Sequence, residues 1–321
     1  MPSHRPSRRG AKGRERLALL VPSFGHERYL AKLLASIAKQ SRKPDEILIS
    51  DDASGDGSWR QLEAWARGRR GVRLYRQKRN LGITGNSNFL LRRTKAELVM
   101  FLHSDDLFLN VRALEKLESL LGENPGVVMA ASGKRFLNEA SRLEATEAGL
   151  ATGLHAGREV RRKLLQAEAN LIGEPSCVMF RRRWLRGGFN KSFRQLWDVE
   201  AWFRMLRQGD LAYMAEPLVG IRRHSAQATR QNALEGRLIE EHLRLFGRTL
   251  AEEGPSLPAE DRYRLLYKLS QTARRHPQAT SPAIRIILAR EKKRIGLAEY
   301  LRLKIRYRLG RWFGRGARAY Q

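Results

Sequence analysis

The chain has 321 residues, 42% of them hydrophobic, and carries 62 lysines and arginines against 33 acids, a formal charge of +29 at neutral pH. That length buries a full core, in one large domain or two smaller ones, and no apolar run approaches the ~20 residues that span a bilayer, so a soluble or peripheral protein is expected. A single cysteine, Cys177, excludes an internal disulfide framework and a thiolate zinc cluster, which fits a reducing compartment.

Met1 to Arg16 carries Arg5, Arg8, Arg9, Lys12, Arg14 and Arg16 with no apolar segment before Leu17, so it reads as a flexible basic tail and not as a secretory signal. Strand-like and helix-like stretches then alternate. Leu17 to Val21 is a short apolar strand closed by Pro22, and Leu30, Leu33, Leu34, Ile37 and Ala38 keep helical spacing within Tyr29 to Gln40. Pro44 breaks the chain before a strand over Glu46 to Ser50, which runs into Asp51-Asp52. Ala53 to Ser58 is turn chemistry, and Ser58 is predicted to cap the helix containing Leu62 and Trp65. A third strand, Val72 to Tyr75, leads to the turn Asn80-Leu81-Gly82 and a helix over Asn86 to Arg93. The fourth strand, Leu98 to Leu102, runs into a second acidic island, His103-Ser104-Asp105-Asp106.

This β-α-β-α-β-α-β succession predicts a doubly wound α/β sheet that binds ligands beyond the carboxyl ends of its strands. Both acidic pairs sit at such ends, so carboxylates distant in sequence are expected to face one cleft. Adjacent carboxylates repel and are costly to desolvate, so they call for a positive or hydrogen-bond-donating guest: a divalent cation or a nucleotide.

Beyond Asp106 come a helix over Val111 to Leu121, Pro125 and a strand over Val127 to Ala131. Lys134 to Ala156 lacks periodicity and reads as a loop or a small excursion bordering the cleft. A basic helix, Arg158 to Glu168, precedes Gly173-Glu174-Pro175-Ser176 and a strand-like Cys177 to Phe180. Trp197 to Leu206 reads as a helix that begins beside Asp198 and Glu200. Near Asn232 the pattern turns arginine-rich and helical, which divides the chain into a tail (1–16), an α/β domain (17–230) and a helical basic region (231–321). Ser281-Pro282 marks a helix start. Leu297, Leu301, Ile305 and Leu309 recur every fourth residue, with Trp312 and Phe313 following and Arg302, Lys304, Arg306, Arg308, Arg311, Arg315 and Arg318 around them. That suits an amphipathic helix on anionic lipid, while residues 303–309 also alternate as a strand would.

Val21-Pro22-Ser23-Phe24, Ser36 to Gln40, Glu46 to Ser58, Asn80-Leu81-Gly82, Phe101 to Asp106, Trp197 to Arg204 and Glu216 to His224 occur in the order seen in family 2 glycosyltransferases. Over roughly residues 17 to 230 the chain resembles that family. The resemblance implies a GT-A fold, with a Rossmann-like, mostly parallel sheet flanked by helices, here followed by a helical basic C-terminal extension. It further implies transfer of a hexosyl-type sugar from a nucleotide diphosphate donor, with inversion and a bound Mn²⁺ or Mg²⁺. A hard cation held by carboxylates neutralises the leaving diphosphate without dedicated protonation.

By the same resemblance Asp52 accepts a hydrogen bond from the nucleotide base, Pro22, Ser23 and Phe24 form the loop around it, and Asn80, Gly82 and Asp105 belong to the nucleotide-sugar site. Asp106 matches the direct metal ligand and His224 a histidine near metal and diphosphate. Phe24 either stacks on the base or is a core residue at a strand end, and Asp51 reads as a turn residue. Asp198 matches the base that takes the acceptor hydroxyl's proton, with Glu200 as the alternative; the plainer reading makes both first-turn acids favoured by the helix dipole. Two positions depart from the family pattern: His103 stands where aspartate is most common and Trp197 where glutamate is usual.

The expected partners are the nucleotide-sugar donor and a glycan or lipid-linked acceptor of the cell envelope, met by residues 134–156 and 171–193. The expected place is the cytoplasm, at the inner face of the cell membrane, held there by the basic C-terminus. A nucleic-acid-binding protein would explain the arginines but not carboxylates at strand ends, so no specific nucleic acid is expected. A degenerate nucleotide-binding scaffold stays open through His103 and Trp197, and with no Gln-x-x-Arg-Trp motif a processive synthase is disfavoured.

Overall fold

The structure, a computed structural model, describes residues 14–225 and 237–312. Arg5, Arg8, Arg9 and Lys12, the boundary near Asn232, and Phe313, Arg315 and Arg318 lie outside them, as do the side chains of Leu297, Leu309 and Trp312. Strands β1 (Leu17–Ser23), β2 (Glu46–Asp51), β3 (Val72–Arg76) and β4 (Leu98–Phe101) run parallel in the order β3-β2-β1-β4. Helices α1 (Glu27–Ala38), α2 (Ser58–Ala66) and α3 (Gly82–Arg93) make the crossovers. Strand β1 is buried along its whole length, as its unbroken apolar run requires of a strand covered on both faces.

Then follow β5 (Leu107–Phe108), α4 (Ala113–Gly122), β6 (Val127–Leu137), β7 (Leu143–Glu147), β8 (Gly153–His155), α5 (Gly157–Ala167), β9 (Val178–Arg181), α6 (Trp197–Met205) and β10 (Asp210–Arg222). Strand β9 sits between β4 and β6 and runs antiparallel to both, while β10 lies parallel to β6. The parallel strands β3-β2-β1-β4 and β6-β10 are therefore joined through the reversed β9, and β5, β7 and β8 pair antiparallel with the second pair.

Three local expectations change. Residues 134–156 carry strand structure: β6 runs on to Leu137, β7 folds back against it and β8 pairs with β10. Every residue of β7 is exposed, so neither face imposes an alternation the sequence could display. Ser58 is the first helical residue and not the cap; Asp56 takes its N–H (3.0 Å) and that of Glu27 (3.1 Å), tying two helix starts together. Helix α3 starts at Gly82, four residues before the periodicity suggested. Its inner face is polar: Asn86 donates to Ser50 O (2.9 Å) and Asn88 to Phe189 O (2.8 Å).

The C-terminal helices are α7 (Arg237–Glu253), α8 (Ala259–Arg275), α9 (Pro282–Ile295) and α10 (Leu297–Trp312). Ser281 caps α9 by accepting the Ile284 N–H, as the Ser-Pro signal predicts. Residues 303–309 are helical, not a strand; Leu303 is buried and Tyr300 packs edge-on to Tyr263. Leu243, Phe246, Leu250, Leu266, Leu269 and Ile284 belong to the same buried apolar cluster as the sheet. Among the described residues no helix is long and apolar enough to cross a membrane.

Candidate active site

A cleft of about 770 Å³ lies over the carboxyl ends of β1, β2 and β4, within the size that takes a small ligand. Pro22, Ser23, Phe24, Asp52, Asn80, Gly82, Asp105, Asp106 and Asp198 all line it. Of the residues singled out in the sequence, His224 stands behind this lining and Glu200 lies outside it.

One end of the cleft is a carboxylate held by a turn. Asp52 Oδ1 accepts the Leu81 N–H at 2.8 Å, and Asn80 Oδ1 accepts that of Gly82 at 2.8 Å. Gly82 has φ +71°, a left-handed conformation that a side chain would strain. Burial raises the Asp52 carboxyl above its ordinary value, against the pull of these amides. Phe24 is 50% exposed, so it is a ring facing the opening and not part of the core. Asp51 is fully buried and takes the Ser54 N–H, the turn role expected of it.

At the second island Asp105 Oδ2 lies 3.1 Å from His224 Nε2, and Asp105 Oδ1 lies 3.9 Å from His26 Nδ1. His224 thus meets Asp105, not the Asp106 with which it was grouped as a metal ligand. Asp106 accepts from Ser176 Oγ (2.6 Å) and from the Arg222 N–H (3.1 Å). Arg222, itself buried, donates through Nε to Asp105 O (2.8 Å), so β10 buckles the island in place. Burial raises both carboxyls. At Asp105 the His224 hydrogen bond and nearby histidines overturn that and bring it down to about 2; at Asp106 the Asp105 charge adds to burial and pushes it well up.

The donor chemistry fits a divalent cation. His26, Asp105 and His224 each offer an atom within 4.8 Å of the others, and so do His103, Asp105 and Asp106. His103 Nε2 and His224 Nδ1 are buried without a hydrogen-bond partner. A buried carboxylate pair with unsatisfied imidazole nitrogens beside it is a place where positive charge is stabilised.

The opposite wall is the start of α6. Asp198 is 8% exposed and accepts from Asn170 Nδ2 at 3.2 Å. Burial pushes its carboxyl up to about 7; the Glu174 charge adds to this, while the Val199 N–H and the Lys134 ammonium oppose it. Lys134 donates to Glu174 at 2.8 Å and pairs with Glu147 at 3.2 Å; despite burial, these carboxylates hold its ammonium well above the usual range. Glu200 turns away to Arg204 (3.0 Å), whose guanidinium also reaches Gly188 O. The two departures from the family pattern touch: His103 stacks on Trp197 at 6.0 Å, and Phe189 meets Trp197 edge-on at 4.5 Å.

Sequence reasoning assigns no role to His26, Ser104, Asn170, Ser176 or Arg222. A faint signal existed for some of them. His26 follows the Pro22-Ser23-Phe24 loop, Ser176 closes the Gly-Glu-Pro-Ser stretch, and Arg222 lies in the segment ending at His224. Nothing local marks Asn170.

A doubly wound half ending in paired carboxylates, joined through a reversed strand to a second half, is the architecture of the GT-A fold. The chain belongs to glycosyl transferase family 2, whose sequence model matches residues 18–189. It is 30% identical over 240 residues to the uncharacterized protein MT1568 of Mycobacterium tuberculosis, covering 70% of this chain and 74% of that one. It is 27% identical over 117 residues to TarS of Staphylococcus aureus, a poly(ribitol-phosphate) beta-N-acetylglucosaminyltransferase, covering 36% of this chain and 20% of that one. The structure of TarS 1-349 with UDP-GlcNAc has the same fold, with a TM-score of 0.62 at 15% identity and 92% of each chain covered. So does the mannosyltransferase PcManGT of Pyrobaculum calidifontis with GDP-Man and Mn²⁺, with a TM-score of 0.54 at 18% identity, covering 89% of this chain and 82% of that one.

Proposed function

We propose that this chain transfers a sugar from a uridine diphosphate donor to a hydroxyl of a cell-envelope glycan or glycolipid, with inversion, and that Asp198 is the general base. The observation that carries the reading is the Asp198 carboxyl in the wall of the cleft, brought by burial to about 7, where it is both ionisable and basic near neutral pH. It takes the acceptor hydroxyl's proton as that oxygen attacks the anomeric carbon opposite the leaving diphosphate. Asp52, fixed by the Leu81 amide, offers an acceptor oxygen to an imide N–H of the base, and Phe24 offers a ring face. Asn80 and Gly82 shape that turn.

Asp105 belongs to both sets of groups that would hold a divalent cation, His26-Asp105-His224 and His103-Asp105-Asp106. Such a cation supplies charge neutralisation of the diphosphate. Mixed imidazole and carboxylate donors favour Mn²⁺ over Mg²⁺, which prefers oxygen alone. Leu301 and Ile305 are 45% and 60% exposed beside Arg302 and Arg306, which supports attachment of α10 to anionic lipid.

Calorimetric binding of UDP, GDP and dTDP, each with and without Mn²⁺, to the wild type and Asp106→Ala tests the donor end. Metal-dependent binding of UDP, lost in the variant, is expected; equal binding without metal or in the variant would refute it. A non-catalytic nucleotide-binding scaffold is favoured by one observation, that both Asp106 oxygens already accept hydrogen bonds. It predicts nucleotide binding without sugar transfer.

A further inference from the structure

The segment that carries Asp198 to the cleft is gripped from outside the α/β half. The N–H groups of Arg194, Gln195 and Leu196 all donate to one carboxylate, that of Glu241 on α7, at 2.6, 2.8 and 2.9 Å. Glu241 is 4% exposed and lies 47 residues beyond Arg194 in sequence. From the next turn of α7, Arg244 donates to Ser192 O and lays its guanidinium 4.3 Å over the Phe193 ring. One helix therefore holds five consecutive residues, 192–196, immediately before Trp197 and Asp198.

We propose that Glu241 is a positioning residue for catalysis: it fixes the backbone of residues 194–196, and through it the placing of Asp198 in the cleft. The inference rests on the reading of Asp198 as the base. A carboxylate accepting three backbone N–H groups is held by charge-assisted bonds that no neutral side chain reproduces. The same three residues whose amides point to Glu241 line the cleft, so the bond set fixes a part of its wall. Glu241 touches none of the groups around Asp52 or Asp105, so nucleotide binding is expected to survive its replacement.

The test uses the full chain and the variants Glu241→Gln, Arg244→Ala and Asp198→Asn. Glu241→Gln keeps the shape and one acceptor oxygen but turns an amide NH₂, itself a donor, toward the backbone N–H donors. Its expected signature is faster amide hydrogen exchange over 194–199 with β1 and β4 still protected, UDP and Mn²⁺ affinity unchanged, donor KM unchanged, and kcat lower by about tenfold to a hundredfold. Arg244→Ala, which leaves Glu241 in place, gives a smaller loss in the same direction. Unchanged exchange over 194–199, or a kcat for Glu241→Gln equal to wild type while Asp198→Asn is inactive, overturns this inference and leaves the base assignment standing. Turnover surviving in Asp198→Asn overturns the base assignment itself, and the catalytic part of this inference with it.

Discussion

Replacing Asp198 with asparagine should make the protein more stable while abolishing transfer. The Asp198 carboxyl is raised from 3.8 to about 7, chiefly by burial. At ~1.4 kcal/mol per pKa unit, a shift of about three units means that keeping this group ionised in the fold costs about 4 kcal/mol. The raised native pKa sets the sign: the protonated form is favoured by folding, so its stabilising contribution is complete below pH 3.8 and is lost as pH rises to about 7. Asparagine cannot ionise and escapes that loss. The gain of Asp198→Asn over wild type is thus expected to grow from about 2 kcal/mol at pH 5 to about 4 kcal/mol at pH 8 and then to level off. Urea unfolding at those two pH values measures it. In parallel, wild-type kcat should climb with pH below about 7 and plateau above, and the variant should lose about a hundredfold or more. A stability gain equal at both pH values would show that the carboxylate is solvated, and wild-type turnover in the variant would remove the base.

The remaining predictions concern metal, aromatic stack and membrane. Mn²⁺ should strengthen UDP binding more than Mg²⁺ does, and His103→Asp, which swaps a nitrogen donor for oxygen, should narrow that difference; isothermal titration with each metal reads both. His103→Ala should lower stability by about 1 kcal/mol through loss of the ring against Trp197, read as a shift in urea midpoint with unchanged slope. The double change Leu301→Ser with Ile305→Ser should weaken flotation with anionic vesicles by about tenfold and leave UDP binding unaltered; equal flotation would clear α10 of any membrane role.

The first half of the sheet was legible because β1 and β4 are apolar runs and the turns are built from Gly, Asn, Asp and Ser, so both acidic islands could be placed at strand ends before any contact was known. The second half was harder to read. β7 is exposed on both faces and leaves no periodic trace, and even in the first half α3 hid its start, because it buries Thr84, Asn86, Ser87 and Asn88 ahead of Leu90 and Leu91. At the site, spacing could not say which of two adjacent carboxylates His224 meets, since that depends on where β10 crosses the island. Nor could it separate Asp198 from Glu200, two residues apart on a helix and so on different faces; Arg204, four residues further on, draws Glu200 away. Glu241 was invisible because its partners are backbone amides, which any sequence possesses.

The cleft is lined by two stretches of the chain, residues 22–106 and residues 136–223. Asp52, Asp105 and Asp106 lie before residue 107 and Ser176 before residue 189, whereas Arg222 and His224, which meet the second island, and Asp198 with the helix that grips its segment come after residue 193. The family match, residues 18–189, ends between them. Likeness confined to that stretch covers both acidic islands and leaves out Asp198, Arg222 and His224. Comparing this chain with others of the family therefore requires the segment before α6 and its anchor on α7 as well as the matched stretch.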